Sequence, residues 1–281
     1  MNKLRKLVGV GLLVAAIQAQ PAVAGLLGVD AVTGNLYSIS EATAAKTLIG
    51  NTGILGWLDI QFAPNGTLYG LAPGGTAFLY TINPTTAAAT LVGDLGILVL
   101  EGALAFAPDG TAFGMNSGNA TNAGLFTIDL ATGAATILGG IGAADINGFT
   151  YVSPGALISL DRISNSLLSI DPTTLLLSPF AAVAATVGGV GGLTVDNGVG
   201  FYVTSGPGGS FPGSDQLYSF NLSTGASTLI GSLGSTSAPG LTAVGISGLA
   251  AQPAAVPEPA TLALLGVGLA GLGVSRRRKR D

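Results

Sequence analysis

Apolar and small polar residues alternate in short stretches through the middle of this chain, and this period of two is typical of a β-strand with one packed face. The stretch LYTI at 79–82 is an example, and a second apolar run, ATLVG at 89–93, follows it after a break. The break begins with Asn83, whose side chain can hydrogen-bond the backbone amides just downstream, and Pro84 fixes φ at the first corner of a turn. The pattern therefore predicts a β-hairpin.

This hairpin recurs five times, at intervals of between 42 and 50 residues. The copies read LYSISEATAAKTLIG from residue 36, LYTINPTTAAATLVG from 79, LFTIDLATGAATILG from 125, LLSIDPTTLLLSPFA from 167 and LYSFNLSTGASTLIG from 217. Internal repeats of this length are typical of a four-stranded propeller blade. In the fourth copy, residues 175–179 replace the usual turn and strand, so the pattern leaves the outer edge of that blade undetermined.

A second hairpin precedes most of the copies. Its turns read PNG at 64–66, PDG at 108–110 and DNG at 196–198, and SPG at 153–155 occupies the same place in the fourth unit. Such turns are strong connectors of two strands. Two hairpins in each period predict four strands in each repeat.

The ends of the repeat region predict how the array closes. Only one short strand, LLGV at 26–29, comes before the first copy, whereas an unpartnered apolar strand, VGISGLA at 244–250, follows the last. We expect the late strand to complete the first blade, because closure removes the exposed edges of an open array. The prediction is an all-β fold, a five-bladed β-propeller from about 25 to 252, with a six-bladed ring containing one degenerate blade and an open β-sandwich as the alternatives.

The first 24 residues predict how the protein leaves the cytoplasm. A basic start is followed by an apolar run from 7 to 19 and by small residues at Ala22 and Ala24. This order is that of a secretory signal peptide, with cleavage before Gly25. The expected partner is Sec-type export machinery.

Charge and composition narrow the class of function. Between Gly25 and Val256 there are two basic side chains against twelve acidic ones, a formal charge of −10, which should repel nucleic acid and anionic membranes. The chain contains neither cysteine nor histidine, which excludes disulfides, thiolate nucleophiles, imidazole bases and histidine-ligated metals. No cofactor is expected.

Three acidic residues near the starts of the predicted inner strands are candidates for chemistry: Asp59, Glu101 and Asp145. One hypothesis is an acidic cluster at a mouth of the channel that binds Ca²⁺ through oxygen ligands. The simpler interpretation is three solvated loop carboxylates. A five-bladed propeller can also carry the carboxylate pair of a glycosidase, and this is the enzymatic alternative to a non-catalytic protein.

Six aromatic residues offer faces on which a sugar could stack, but at strand positions we expect them to pack between blades. They are Trp57, Tyr69, Tyr80, Tyr151, Tyr202 and Tyr218.

The chain ends in VPEPATLALLGVGLAGLGVSRRRKRD, which has three parts. Val256, Pro257, Glu258 and Pro259 form a proline-bracketed motif, and the 16 residues from 260 to 275 are uncharged. A helix over that run would span roughly 24 Å, short of a ~30 Å hydrocarbon core, so it would be a marginal permanent anchor. The basic cluster that follows favours a cytoplasmic end and consists of Arg276, Arg277, Arg278, Lys279 and Arg280.

These three parts resemble the tail of PEP-CTERM sorting-signal proteins, residue by residue at VPEP. The resemblance implies recognition by an exosortase, an integral-membrane cysteine protease, and removal of the apolar tail. It also implies a Gram-negative bacterium that makes exopolysaccharide, and an envelope or extracellular-matrix destination. The repeat region is similar to uncharacterised secreted proteins with units of the form LYxIDxxTGxATxxG, which supports the propeller but implies no activity.

The sequence thus predicts an exported, non-catalytic propeller at the cell surface or in the extracellular matrix, which serves as a binding or structural module and has exopolysaccharide as its candidate ligand. Contact with the membrane is expected only through the tail before processing. The predicted segments are a signal peptide at 1–24, the propeller at 25–252, a linker with the motif at 253–259, an apolar helix at 260–275 and a basic tail at 276–281.

Overall fold

The computed structural model describes residues 25–117, 124–142, 146–153, 155–161, 164–183, 190–204, 215–234 and 245–253. Over these ranges the chain forms twenty β-strands and no helix. The strands are grouped into five antiparallel sheets of four, and each sheet is one blade of a propeller. The fold class predicted from the sequence is confirmed.

Each blade is named here in the order of the chain, with its strands given from the innermost to the outermost. Blade 1 contains β20 (Ile246–Ala251), β1 (Leu26–Asp30), β2 (Asn35–Ile39) and β3 (Lys46–Asn51). Blade 2 contains β4 (Asp59–Phe62), β5 (Leu68–Ala72), β6 (Phe78–Ile82) and β7 (Ala89–Asp94). Blade 3 contains β8 (Gly102–Phe106), β9 (Ala112–Asn116), β10 (Gly124–Ile128) and β11 (Ala135–Gly139). Blade 4 contains β12 (Ile146–Ser153), β13 (Ala156–Asp161), β14 (Ser166–Ile170) and β15 (Leu177–Ala182). Blade 5 contains β16 (Val190–Asp196), β17 (Val199–Thr204), β18 (Asp215–Asn221) and β19 (Ser227–Gly234).

The innermost strands form a closed ring, since β4 contacts β8, β8 contacts β12, β12 contacts β16, β16 contacts β20 and β20 contacts β4. The last strand joins the first blade, with Ala251 opposite Leu26 and Leu249 opposite Gly28. The five-bladed ring closed by the late strand is therefore correct, and the six-bladed ring and the open sandwich are excluded.

The turns between the two outer strands form for the reason that the sequence suggested. In blade 2, Asn83 Oδ1 accepts hydrogen bonds from the backbone N–H groups of Thr85 and Thr86, at 2.9 and 3.1 Å. Asp129, Asp171 and Asn221 accept the same pair of bonds in blades 3, 4 and 5. Each turn thus satisfies its own backbone donors, as Asx turns do.

The outer edge of blade 4, which the sequence pattern left undetermined, is a regular strand. Strand β15 pairs with β14 from Ile170 opposite Leu177 to Ser166 opposite Ala182. Pro179 lies within β15, and a proline is tolerated there because the outermost strand is a sheet edge.

The hydrophobic core lies between the blades rather than along the axis. Five apolar clusters fill the five interfaces between neighbouring blades. The outermost strands instead expose apolar side chains at equivalent positions, among them Leu48, Leu91 and Leu229, which are 57%, 54% and 50% exposed. Stability thus depends on the packing of each blade against the next.

Candidate functional site

Two glycines allow the innermost strands to approach one another at the propeller axis. A Cβ atom on Gly192 of β16 would lie 2.1 Å from the backbone nitrogen of Leu249, and one on Gly248 of β20 would lie 2.6 Å from that of Ile60. Real Cβ atoms do not come so close to backbone, so only glycine permits this contact between blades 5, 1 and 2. The backbones of these three inner strands are therefore in direct contact at this level.

Asp59 is enclosed at the same level and has no exposed surface. Its Oδ1 accepts a hydrogen bond from the Ile60 N–H at 2.8 Å, and its Oδ2 accepts one from the Leu104 N–H of blade 3 at 2.9 Å. Burial raises the pKa of Asp59 well above its ordinary value, while backbone donors from Leu104, Ile60 and Leu249 oppose that rise. The carboxyl group therefore connects the inner strands of blades 2, 3 and 1, and it does not open onto a channel mouth.

The other two candidate acids are placed differently. Glu101 is partly exposed and lies just before β8, whereas Asp145 is outside the described residues. Among the residues that the structure describes, no group of three acidic side chains is arranged to hold a metal ion. A Ca²⁺ site that includes Asp145 stays a prediction.

Gln61 forms a polar layer next to Asp59 on β4. Its Nε2 donates to the Leu193 carbonyl at 2.8 Å and to the Leu249 carbonyl at 3.0 Å, and its Oε1 accepts from the Thr194 hydroxyl at 3.3 Å. The Thr194 hydroxyl oxygen in turn accepts the Ala251 N–H at 3.0 Å. Both side chains are buried and their amide and hydroxyl groups are occupied by these bonds, so they form a fixed floor that spans blades 2, 5 and 1.

A cavity of about 360 Å³ lies above this floor, on the face that carries the PNG and PDG turns. Three aromatic residues line one side, Phe62 in blade 2, Phe106 in blade 3 and Tyr151 in blade 4, and each also packs against an apolar cluster between blades. Each ring lies four residues before the glycine of its turn, so the repeat places them at equivalent positions. Blades 5 and 1 supply smaller residues, including Val195 and Ala251, and among the described residues no Asp, Glu, Lys or Arg side chain lines the cavity.

Contacts with neighbouring groups position Phe106 and Tyr151, and hydroxyl groups lie beside these two rings. Phe106 packs against Tyr69 with ring centroids 5.5 Å apart, and the Tyr151 hydroxyl oxygen accepts the Gly155 N–H at 3.2 Å. The Tyr151 proton stays available for donation. Thr150 is 8% exposed and lines the same cavity. The pocket thus combines apolar faces with neutral hydrogen-bonding groups, which is the usual makeup of a small-molecule site.

Sequence reasoning missed Phe62 and Phe106 as pocket residues. The packing role that it gave Tyr151 is confirmed, because Tyr151 packs against the apolar cluster between blades 3 and 4 and also lines the pocket. Of the six aromatic residues singled out from the sequence, Trp57, Tyr69, Tyr202 and Tyr218 are buried and pack between blades. The signal that could have found the pocket was the aromatic residue repeated four positions before the turn glycine in FAPNG, FAPDG and YVSPG.

A second group of acids lies where blade 5 meets blade 1. Asp215 is 3% exposed and its Oδ2 accepts the Ile246 N–H at 3.0 Å, while burial raises the pKa of Asp215 to about 6. Burial also raises the pKa of Glu41 to about 7, and a hydrogen bond to Asp196 and repulsion by its charge add to that rise. Asp215 begins β18 of blade 5, and Glu41 lies between β2 and β3 of blade 1, so the two acids come from the two blades whose interface closes the ring.

We expect the propeller to be more stable at pH 5 than at pH 8. A carboxyl group with a raised folded-state pKa holds its proton more tightly when folded, so its contribution is present in acid and is lost as pH rises through the folded value. For Asp215 this stability is lost between pH 3.8, the ordinary pKa of the group, and about pH 6, its pKa in the folded protein. The full shift corresponds to about 3 kcal/mol of unfolding free energy, of which about half is still present at pH 5. Thermal unfolding between pH 4.5 and 8 measures the effect.

Asp215→Asn should reduce the difference in melting temperature between pH 5 and pH 8. Asp109→Asn is the control, because Asp109 lies in an exposed turn where hydrogen bonds from Thr111 lower the pKa of its carboxyl group. Equal melting temperatures of the wild-type protein at the two pH values would contradict the prediction.

Both ends of the chain lie outside the described residues. They contain the predicted signal peptide with Ala22 and Ala24, the VPEP motif, the apolar run at 260–275 and the basic tail. Within the part that is described, no helix is long and apolar enough to cross a membrane. The cleavage and sorting roles of these individual residues stay predictions.

Comparison with known proteins adds evidence on the tail and on the fold. Residues 255–279 match the model of the PEP-CTERM protein-sorting motif. No protein of curated function matches the chain in sequence. The propeller is similar to a chain in the crystal structure of a nidogen/laminin complex, at 12% identity and a TM-score of 0.55, over 82% of this chain and 99% of that one. It also matches TolB from Acinetobacter baumannii at 16% identity and a TM-score of 0.48, over 76% of this chain and 53% of that one.

At 12% identity, the match to the chain in the nidogen/laminin complex shows the fold alone. The sorting motif goes further, because it marks a protein that is exported, associated with the cell envelope and processed by an exosortase. The chain thus carries a match to the PEP-CTERM protein-sorting motif at residues 255–279 and has a five-bladed β-propeller body.

Proposed function

We propose that the propeller is a non-catalytic binding module of the cell surface or extracellular matrix, and that its ligand is a neutral exopolysaccharide. The observation that carries this proposal is the axial pocket of about 360 Å³, whose lining within the described part of the chain is partly aromatic and uncharged. Aromatic faces pack against the apolar faces of sugar rings, and neutral hydroxyl groups exchange hydrogen bonds with sugar hydroxyls.

Charge supports a neutral polymer over an anionic one. The region between Gly25 and Val256 carries a formal charge of −10. A polyanion would be repelled by that field over a distance of about 10 Å at ordinary salt. An uncharged polysaccharide meets no such barrier.

The arrangement of the acids supports binding rather than hydrolysis. A glycosidase requires two carboxyl groups on either side of the scissile bond, about 5–10 Å apart. The lining residues that the structure describes include no carboxyl group, and Asp59 is fully buried with both oxygens bonded to backbone N–H groups. The propeller therefore binds the polymer without cleaving it.

The test is affinity electrophoresis of the exported, processed protein in gels that contain the producer's purified exopolysaccharide. We expect retardation in that gel and none in a gel containing alginate, an anionic polysaccharide. Retardation should persist at high salt, because it depends on neutral contacts. Equal mobility in all gels would contradict the proposal, and release of reducing sugar from the polymer would favour a glycosidase.

A further inference from the structure

We propose that the axial pocket binds a single terminal or branch-end neutral sugar residue end-on, and not an internal segment of a polysaccharide chain. This inference rests on the proposed function and adds to it the part of the polymer that is recognised. Three features of the pocket carry it: its closed floor, its complete rim and its size.

The floor is closed because the innermost strands meet beneath it. Gln61 spans the axis, with hydrogen bonds to the Leu193 and Leu249 carbonyl groups, and Thr194 joins it to the Ala251 N–H. Below them, the contact of Gly192 and Gly248 with the backbone of neighbouring strands leaves no room for even one methyl group. These contacts narrow the axis beneath the pocket from the side of blades 5, 1 and 2, so the turn-bearing face is the expected point of entry for a polymer.

The rim is complete because all five blades contribute to the lining. Phe62, Phe106 and Tyr151 come from blades 2, 3 and 4, Val195 comes from blade 5, and Ala251 comes from blade 1. A polysaccharide bound by an internal segment needs a groove that is open at two ends, so that the chain can enter and leave. A cup with a continuous wall admits only a chain end or a short branch.

The size of the pocket fits the same interpretation. A volume of about 360 Å³ lies at the lower end of the range of small-molecule sites, which runs from ~300 to 1,000 Å³. That space holds a small ligand such as one or two sugar rings, and the remainder of a polymer would extend into solvent from the turn-bearing face.

Free hydrogen-bonding groups lie on the aromatic side. Gln61 and Thr194 are occupied by bonds within the floor, so they position the strands. The structure records no hydrogen bond of the Thr150 hydroxyl within the described residues, although that side chain is only 8% exposed and lines the pocket. Thr150 and the Tyr151 hydroxyl are therefore the groups that would contact the hydroxyls of a sugar packed on Phe62 or Phe106.

The direct test is isothermal titration of the exported, processed protein with methyl glycosides of glucose, galactose, mannose and N-acetylglucosamine. We expect at least one glycoside to bind and to release the protein from its exopolysaccharide in affinity electrophoresis. Val195→Trp, which fills the pocket with an indole ring, should reduce both affinities by at least tenfold. Val199→Trp is the matched control, because Val199 is 41% exposed on β17 and is not a lining residue.

Thr150→Val separates a contact with sugar from a role in folding, since it removes the hydroxyl and keeps the side-chain volume. We expect unchanged thermal stability and weaker binding of the glycoside. Shearing the polymer to short fragments should raise the amount of protein bound at equal polymer mass, because shearing creates chain ends.

Two results would overturn the end-on site and leave the proposed function intact. In the first, Val195→Trp binds the polymer as tightly as the wild-type protein does. In the second, the wild-type protein binds the polymer and no glycoside inhibits this binding. Failure of the wild-type protein to bind the polymer at all would instead contradict the proposed function. Glycoside binding without polymer binding would support the pocket as a site for free sugars only, and would overturn both the end-on site and the proposed function.

Discussion

Glu258→Gln is expected to leave the apolar segment attached to the exported protein. Glu258 is the only acidic residue between Asp215 and Asp281, and it lies between two prolines within the segment that matches the sorting motif. Pro257 fixes its own φ, and a residue that precedes proline is driven towards an extended backbone, so the sequence predicts a single carboxylate on an extended strand. We expect the exosortase to recognise that group, and its replacement by a neutral amide to prevent cleavage.

Intact-mass spectrometry of protein recovered from the cell envelope measures the outcome. The wild-type protein should lack the residues beyond the motif, whereas Glu258→Gln should retain them and stay in the membrane fraction. Asp281→Asn is the matched control, because it removes one carboxylate outside the matched segment. Tails of the same mass on Glu258→Gln and wild type would argue against this role of the motif.

The second large effect is expected from Leu249→Ala in the strand that closes the ring. Leu249 is fully buried in β20, opposite Gly28 of β1, and its backbone carbonyl accepts the Gln61 side chain. Removing its side chain should lower the free energy of unfolding by about 2–5 kcal/mol, because it leaves a cavity where blade 1 meets blade 5. The chain has no cysteine, so no disulfide compensates for a weakened closure.

Urea unfolding followed by the fluorescence of Trp57 measures this change. Trp57 is the single tryptophan of the chain and is 1% exposed in the cluster between blades 1 and 2. Leu229→Ala is the matched control, because Leu229 is 50% exposed on the outermost strand of blade 5 and its loss should cost less than about 0.5 kcal/mol. If both variants lost the same stability, β20 would not be the strand on which the ring depends.

The blade count follows from the sequence because a propeller repeats one local pattern. Each turn between outer strands is formed by an Asx side chain and the backbone amides of its own turn, as at Asn83. Such local interactions recur wherever the motif recurs, so five copies predict five outer hairpins. The early and late strands then predict closure, because the first blade is one strand short and the late strand lacks a partner in its own part of the chain.

Residues distant in sequence decide the interior. Asp59 appeared to be a loop carboxylate, yet it binds the backbone of Leu104, 45 residues later, within the closed axis. Gln61 carries no signal in the sequence, although it bonds to Leu193 and Leu249, which are 132 and 188 residues away. The register of five strands around the axis creates both environments, and no local pattern encodes it.

The sequence by itself therefore determined the sorting motif at 255–279, the number of blades and the acidic charge, because each of these depends on contiguous residues or on their repetition. The signal peptide stays a prediction. Only the tertiary structure decided that Asp59 and Gln61 are buried supports and that Phe62, Phe106 and Tyr151 form one wall of a pocket. These positions are far apart along the chain. They become neighbours only because closure of the ring brings five inner strands to a common axis.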